Sequence, residues 1–244
     1  MNNYKLTIQY DGSGFAGWQI QKNAPSVQDE IRTAIKVILR EEVNLIGSGR
    51  TDSGVHALGQ VANFRTETEI DTRRFFLSLN SVLPETISVT SIEKADESFH
   101  SRFDAKSRSY IYLISKVKSP FFKKYSMYNP RFDSYDFEKL KALTKLFIGE
   151  HDFTSFCRKE SETENRRCIV KAAQWRNSRQ HALFYIEANR FLHGMVRTVT
   201  GTLLNAVKEE RDEKYIKEIF EKLNREEAGE AVPPNGLFLY KVRY

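Results

Sequence analysis

Cysteine is scarce in this chain, with two in 244 residues, and its scarcity excludes a disulfide-stapled fold. Cys157 and Cys168 therefore read as reduced, structural thiols. A zinc site at that place lacks ligands, because His151 is near but no CxxC or HxxxH pair occurs. Long apolar runs are missing as well, so no segment reads as a membrane span. Met1 leads straight into NNYKLTIQY with no apolar h-region, so no secretory signal is expected and the cytoplasm is the expected compartment. The motifs GxSxG, HExxH and GxxxxGKS/T are absent. DGSGFAG carries glycines at GxGxxG spacing, yet they precede Trp18 instead of opening a strand-to-helix turn, and a dinucleotide site is not expected.

The chain has 38 Lys and Arg against 32 Asp and Glu, a formal charge of +6 that suits an anionic partner. Its basic residues gather in Phe99 to Arg108, in KSPFFKKY at 118–125, in ENRR at 164–167 and in NRFLHGMVR at 189–197. Several of these stretches interleave lysine or arginine with aromatic rings, which fits phosphate neutralisation beside base stacking.

Periodicity orders the elements. Tyr4, Leu6, Ile8 and Tyr10 alternate with polar residues as in a half-buried strand. Ser26, with Asp29 three residues on, opens a helix whose stripe is Val27, Ile31, Ala34, Ile35, Ile38 and Leu39. Strands are expected over 43–48 and 59–65, a helix capped by Asp71 and stopped by Pro84, and a strand over 87–93. The second half repeats the order: a strand over 110–116, a helix bearing Phe137, Leu140, Leu143, Thr144 and Phe147, and strands over 169–176 and 182–188. A helix over 192–208, another from Asp212 and a closing strand over 237–243 complete it. The expected fold is α+β, with two ferredoxin-like βαββαβ halves, residues 1–104 and 105–244, whose antiparallel or mixed sheets meet at a central cleft. RNA-recognition motifs share this order, but no RNP-type aromatic run is present to assign their way of reading RNA.

Between the strands over 43–48 and 59–65 lies GSGRTDSGVHA, Gly47 to Ala57, with three glycines and almost nothing apolar. In an extended segment Arg50 and Asp52 project to one face, where the arginine favours the ionised carboxylate and the glycines admit a large substrate. An ionised, aimed aspartate can serve as nucleophile or general base without a cofactor. Two other readings stand beside this one: a surface ion pair in a strand connection, and metal-dependent hydrolysis if Asp11, Asp52, His56 and His100 converge.

GSGRTDSGVHALGQVANF resembles the GRTDxGVHA signature of the tRNA pseudouridine synthase A family, and the resemblance covers essentially the whole chain. YDGSGFAGWQIQ with SVQDEI, FHSRFDAKSRSYIYLI, GEHDFTSF, EANRFLHGMVRTVTGTLL and AVPPNGLFL are similar to that family's other blocks, in order. The resemblance implies isomerisation of uridine to pseudouridine at positions 38 to 40 of the tRNA anticodon arm, with no metal and no cofactor. It implies Asp52 as the essential carboxylate, with Arg50, Tyr110, Arg197 and Leu237 as further catalytic or substrate-binding residues. It also implies a homodimer, one subunit taking the arm while its partner holds the rest of the tRNA.

The extruded uracil needs a ring to lie against and its vacated place in the stem needs a filler. On the implied assignment Tyr110 packs on the uracil, Leu237 closes the apolar side, Arg50 fills the gap and Arg197 pairs with Asp52 or a phosphate. Arg197 is placed four residues after His193 on one helix face. His56 and His193 read as structural supports ahead of catalytic groups, and the charged stretch RKESETENRRCI reads as variable and open to tuning which tRNAs are accepted. The competing reading is a tRNA-binding or tRNA-folding protein without turnover; its mark would be loss of Asp52 or Tyr110, and both are present.

Overall fold

A computed structural model describes residues 1–159 and 164–244; residues 160–163 of RKESETENRRCI lie outside the described residues. The fold is α+β and divides into two units, Met1–Lys106 with Phe238–Tyr244, and Ser107–Leu237.

In the first unit, alternation makes β1 (Asn2–Tyr10), whose Tyr4, Leu6 and Ile8 are completely buried. The chain continues through α1 (Val27–Leu39), β2 (Ile46–Gly47), β3 (His56–Thr66), α2 (Thr72–Val82) and β4 (Ile87–Ala95). β1 lies between β3 and β4, antiparallel to both, and β2 pairs with β3 through Ile46 and Gly47. That is the ferredoxin-like strand order 4-1-3-2. Ser26 caps α1 by accepting from Asp29 N, and Asp71 caps α2 by accepting from Arg73 N and Arg74 N, as their sequence positions predict. A buried amide pair holds the chain after β4: Asn63 Nδ2 donates to Asn3 Oδ1, while Asn3 Nδ2 donates to Asp96 O and Phe99 O.

The strand expected over 43–48 contracts to the two residues of β2, although Val43 and Leu45 remain buried. Their burial comes without ladder pairing, so an apolar run does not become a strand. The closing strand β10 (Leu237–Arg243) forms where expected, but Phe238–Tyr244 groups with the first unit rather than the second. The cause is pairing: Phe238 and Leu239 lie in parallel register with His56 and Ala57 of β3. Gly59 permits this neighbour, since a Cβ there would stand 2.6 Å from Tyr240 O.

The second unit runs through β5 (Ser107–Ser115), β6 (Met127–Tyr128), α3 (Phe137–Lys145), β7 (Gly149–Asp152), β8 (Arg167–Asn177), β9 (His181–Ala188), α4 (Met195–Lys208) and α5 (Glu213–Lys222). β5, α3, β8, β9 and α4 repeat the β-α-β-β-α order of the first unit. β9 pairs antiparallel with both β5 and β8, β7 adds antiparallel to β8, and β6 lies parallel to the end of β5. Phe147, Phe153 and Phe156 are fully buried around Phe220, and Trp175 stacks on Phe184 at 4.8 Å while its Nε1 donates to Thr144 Oγ1. α4 starts later than the expected 192, because Gly194 takes a left-handed φ of 74° at its N-cap. His193 therefore lies before the helix and does not share a helix face with Arg197.

Cys157 and Cys168 are free and buried in this unit. Burial pushes the Cys168 thiol from 9.0 up to about 11, and raises Cys157 in the same direction. A thiol held protonated in the fold ionises first in the unfolded chain, so its contribution to stability is full below pH 9 and declines as pH rises through the interval to 11. Urea unfolding should show Cys168→Ala losing less stability than the native sequence between those pH values. At pH 8 both native thiols should react with an aromatic disulfide at least tenfold more slowly than in guanidinium. Equal slopes and rapid native reaction would both contradict the assignment.

Candidate active site

The glycine-rich stretch is a shaped loop whose backbone is fixed by the segment after β1. At its start, Gly47 lies against Trp18: a Cβ would stand 2.5 Å from the indole Nε1. Ser48 N donates to Val61 O at 2.7 Å and Ser48 Oγ to the buried Gln60 Oε1 at 2.7 Å, while Gln60 Nε2 donates to Gly49 O at 2.9 Å. In its middle, Thr51 Oγ1 and Tyr10 Oη share a hydrogen bond of 2.8 Å, and Trp18 N donates to Thr51 O at 3.2 Å. At its end, Gly54 N and Ser53 Oγ both donate to Phe15 O, and Val55 N donates to Asp52 O at 3.1 Å.

This framing sets the two charged side chains. Thr51 is buried toward Tyr10, with Arg50 exposed and Asp52 half-buried on either side of it, the in-out alternation of an extended segment. The carboxylate is thereby presented on a backbone with little freedom to shift. Gly17 belongs to the same frame: its φ is 105°, and a Cβ would stand 2.4 Å from Thr51 O. YDGSGFAGW is thus a brace for the Asp52 loop.

His56, at the start of β3, is buried with its ring stacked on Phe238 at 4.7 Å. Gly12 N donates to its Nδ1 at 3.1 Å, and Asp11 Oδ1 lies 3.2 Å from that nitrogen. Asp11 also accepts from Ser13 N. His56 and Asp11 therefore join the brace. His100 is engaged elsewhere, its Nδ1 accepting from Arg102 N and Phe103 N. Among the described residues no three His, Cys, Asp or Glu side chains are grouped to hold a metal ion, and no helix is long and apolar enough to cross a membrane.

In the second unit, Tyr110 stands on β5 opposite Ile186, 9% exposed, with Phe191 edge-to-face at 5.0 Å. Two residues on, Tyr112 donates its hydroxyl to Pro233 O at 2.9 Å. Desolvation by burial pushes the Tyr112 phenol above its ordinary range, so it stays a donor. Arg197 is half-buried on α4; its Nε donates to Val232 O at 2.8 Å and its carbonyl accepts from Val232 N at 3.2 Å. Leu237, 5% exposed, begins β10 directly after the 3-10 turn Pro234–Gly236. The structure thus ties Arg197 and Tyr112 to the segment that ends in Leu237.

A family profile described as tRNA pseudouridine synthase matches residues 6–104 and 143–244. The chain belongs to the tRNA pseudouridine synthase family. It is 42% identical over 246 residues to tRNA pseudouridine synthase A of Caldicellulosiruptor bescii, with all of both chains covered. It is 40% identical to tRNA pseudouridine synthase A 1 of Protochlamydia amoebophila, covering all of this chain and 97% of that one. It is 37% identical to tRNA pseudouridine synthase A 2 of Clostridium perfringens, with both chains covered in full. Membership makes the protein an isomerase acting on tRNA, and places the Asp52 loop inside the matched region.

Tyr10, Thr51, Trp18 and Gln60 are supports that residue-by-residue reading of the sequence passes over. Gln60 carried a signal, being a polar residue inside the apolar run GQVANF, which a buried strand tolerates only with its amide fully bonded. Gly17→Ala tests the brace: its Cβ meets backbone, and the left-handed φ adds strain. The variant should lose about 2 kcal/mol in urea unfolding, the usual scale of an overpacked site. Its pseudouridine formation should fall at least tenfold under conditions where it stays folded. Activity within twofold of the native protein would show that the loop tolerates displacement.

Proposed function

We propose that this protein isomerises uridine to pseudouridine at positions 38 to 40 of the tRNA anticodon arm, with Asp52 as the essential carboxylate. The observation that carries the reading is the Asp52 loop itself. A half-buried aspartate beside an exposed arginine sits on a backbone fixed at its start, middle and end by buried groups, in a chain of the tRNA pseudouridine synthase family.

A uridine in the arm must leave the base stack before a side chain reaches it, so the substrate is an extruded nucleotide. Asp52 initiates cleavage of the bond between C1′ and N1. The detached uracil turns, C5 bonds to C1′, and the proton on C5 leaves, so that the product is an isomer of the substrate. Three openings lead there: attack on C1′, addition to C6, or removal of the C2′ proton to give a glycal. Each requires an ionised carboxylate. Tyr110 is assigned to pack on the uracil, Leu237 to close the apolar side of its pocket and Arg50 to fill the space the base vacates. Arg197 is assigned to pair with Asp52 or a phosphate, and its bond to Val232 adds a positioning role toward Leu237. The reading includes a homodimer in which the partner subunit holds the rest of the tRNA, and a cytoplasmic location.

The direct test uses unmodified tRNA tritiated at C5 of uridine, incubated with enzyme and EDTA. The native protein should release tritium, and Asp52→Asn should release none above background while binding tRNA within a few-fold of native affinity. Appreciable turnover by Asp52→Asn would remove the aspartate from its role. Tight tRNA binding by the native protein without any release, over a panel of tRNAs, would favour a binding or folding protein instead.

The lysine-rich stretch at 118–125 should track phosphates, in which case affinity falls steeply with salt. Lys123→Glu combined with Lys124→Glu should flatten the log-log salt slope by about two, one for each lost phosphate contact. A salt-independent affinity, or an unchanged slope in the variant, would take the RNA path elsewhere.

A further inference from the structure

Asn235 lies in the 3-10 turn Pro234–Gly236, two residues before Leu237. Its Nδ2 donates to two carbonyls of a different segment, Lys123 O at 2.9 Å and Ser126 O at 2.8 Å. Those carbonyls belong to the excursion over 116–126 that leaves the end of β5 and returns as β6 alongside it. The excursion exposes Phe121, at 83%, together with Phe122, Tyr125, Lys118, Lys123 and Lys124. Water gives no reason for those rings to stay in place. Local bonds shape the tip, with Tyr125 N and Ser126 Oγ both donating to Phe122 O, and the Phe122 ring meets His181 edge-on at 4.5 Å. Asn235 adds the tie between this tip and the turn before Leu237.

That turn is itself anchored. Pro233 O accepts from Tyr112 Oη, Val232 O accepts from Arg197 Nε, and Gly236 packs so closely on the Tyr112 ring that a Cβ would stand 2.9 Å from Cζ. Rigidity established on β5 and α4 therefore passes through residues 232–237 and, by one carboxamide, into the exposed loop. Only a side chain with two N–H donors on one atom meets both carbonyls; aspartate of the same shape offers acceptors alone.

We infer that Asn235 is a positioning residue that couples RNA contact at the 118–126 loop to the placement of Leu237. Exposed rings among lysines are the chemistry that receives unpaired nucleotides, with stacking beside phosphate neutralisation. An RNA strand seated there is held in fixed register with the segment ending in Leu237. The inference rests on the proposed activity for its catalytic consequence, and on the hydrogen bonds alone for the coupling.

Two experiments separate those layers. The carbonyl of the Lys123–Lys124 peptide is one that Asn235 holds, and trypsin must pull that peptide out to cleave it. Cleavage at this bond, followed by mass spectrometry, should be about tenfold faster in Asn235→Ala, as expected for two hydrogen bonds of ordinary strength. Asn235→Asp should match or exceed that, and Asn235→Ser, with one donor, should fall between; equal rates in all four proteins would overturn the clamp. The second experiment measures single-turnover tritium release at saturating tRNA for native, Asn235→Ala, Phe121→Ala and the double variant. Coupling predicts a rate loss of about tenfold on Asn235→Ala in the native background, shrinking to under about twofold when Phe121 is already alanine. Additive losses would overturn it, since a purely structural asparagine acts regardless of the ring. A native protein that releases no tritium refutes the activity while the protease result still decides the clamp.

Discussion

Thr51 is bonded twice, through its hydroxyl to Tyr10 and through its carbonyl to Trp18, and the rest of the candidate site depends on that double hold. A threonine fixed inward forces its neighbours outward, and those neighbours are Arg50 and Asp52. Tyr10 ends β1 and Trp18 lies in the loop that follows, so the position of the carboxylate is inherited from a strand whose Tyr4, Leu6 and Ile8 are fully buried. Hydrogen bonds of this kind are individually modest, about 1 kcal/mol net. Their value here is geometric, because several of them converge on the short stretch from Ser48 to Val55 and hold its backbone.

The same logic explains why parts of the molecule were legible in the sequence and others were not. Helix starts announce themselves locally: Ser26 and Asp71 cap within their own turn, and the side chains that bury follow at helical spacing. Strands with one buried face also read cleanly, as in Tyr4 to Tyr10 or His181 to Ala188. Pairing partners do not, since nothing inside LFLYKVR says that Phe238 and Leu239 will lie beside His56 and Ala57. Nor does periodicity show that Gly194 will adopt a left-handed φ and move His193 off the helix, or that GEHD will form β7. Those outcomes are decided by tertiary contacts that only the folded chain contains.

For the site, Asp52 and Arg50 stand out because glycine-rich, nearly apolar-free sequence between two strands is hard to explain as core. Their supports were hidden for the opposite reason. Tyr10, Trp18 and Gln60 are residues that any hydrophobic strand or loop can contain, and their role appears only as distances to Thr51, Ser48 and Gly49. Arg197 is an intermediate case. The family resemblance implies a phosphate or carboxylate partner, whereas its Nε and its carbonyl both engage Val232, so part of its work is to fix the backbone ahead of Leu237.

For an isomerase acting on tRNA, orientation and the placement of charge are large sources of rate acceleration. On the proposed function the base must first unstack, which already costs a few kcal/mol, so a loop that had to reorganise as well would add to the barrier. The two supports found in this chain answer that requirement separately. In the first unit buried hydrogen bonds arrange the carboxylate before any RNA is present. In the second, Tyr112 and Arg197 arrange the Leu237 segment, with Asn235 extending that order to a loop of exposed rings and lysines. On the inferred coupling, binding energy gathered at an exposed ring reaches Leu237 through these connections, because a flexible turn between them would dissipate the register. The small segment over 232–237, held by Arg197 at Val232 and by Tyr112 at Pro233, is where the fold supplies that stiffness.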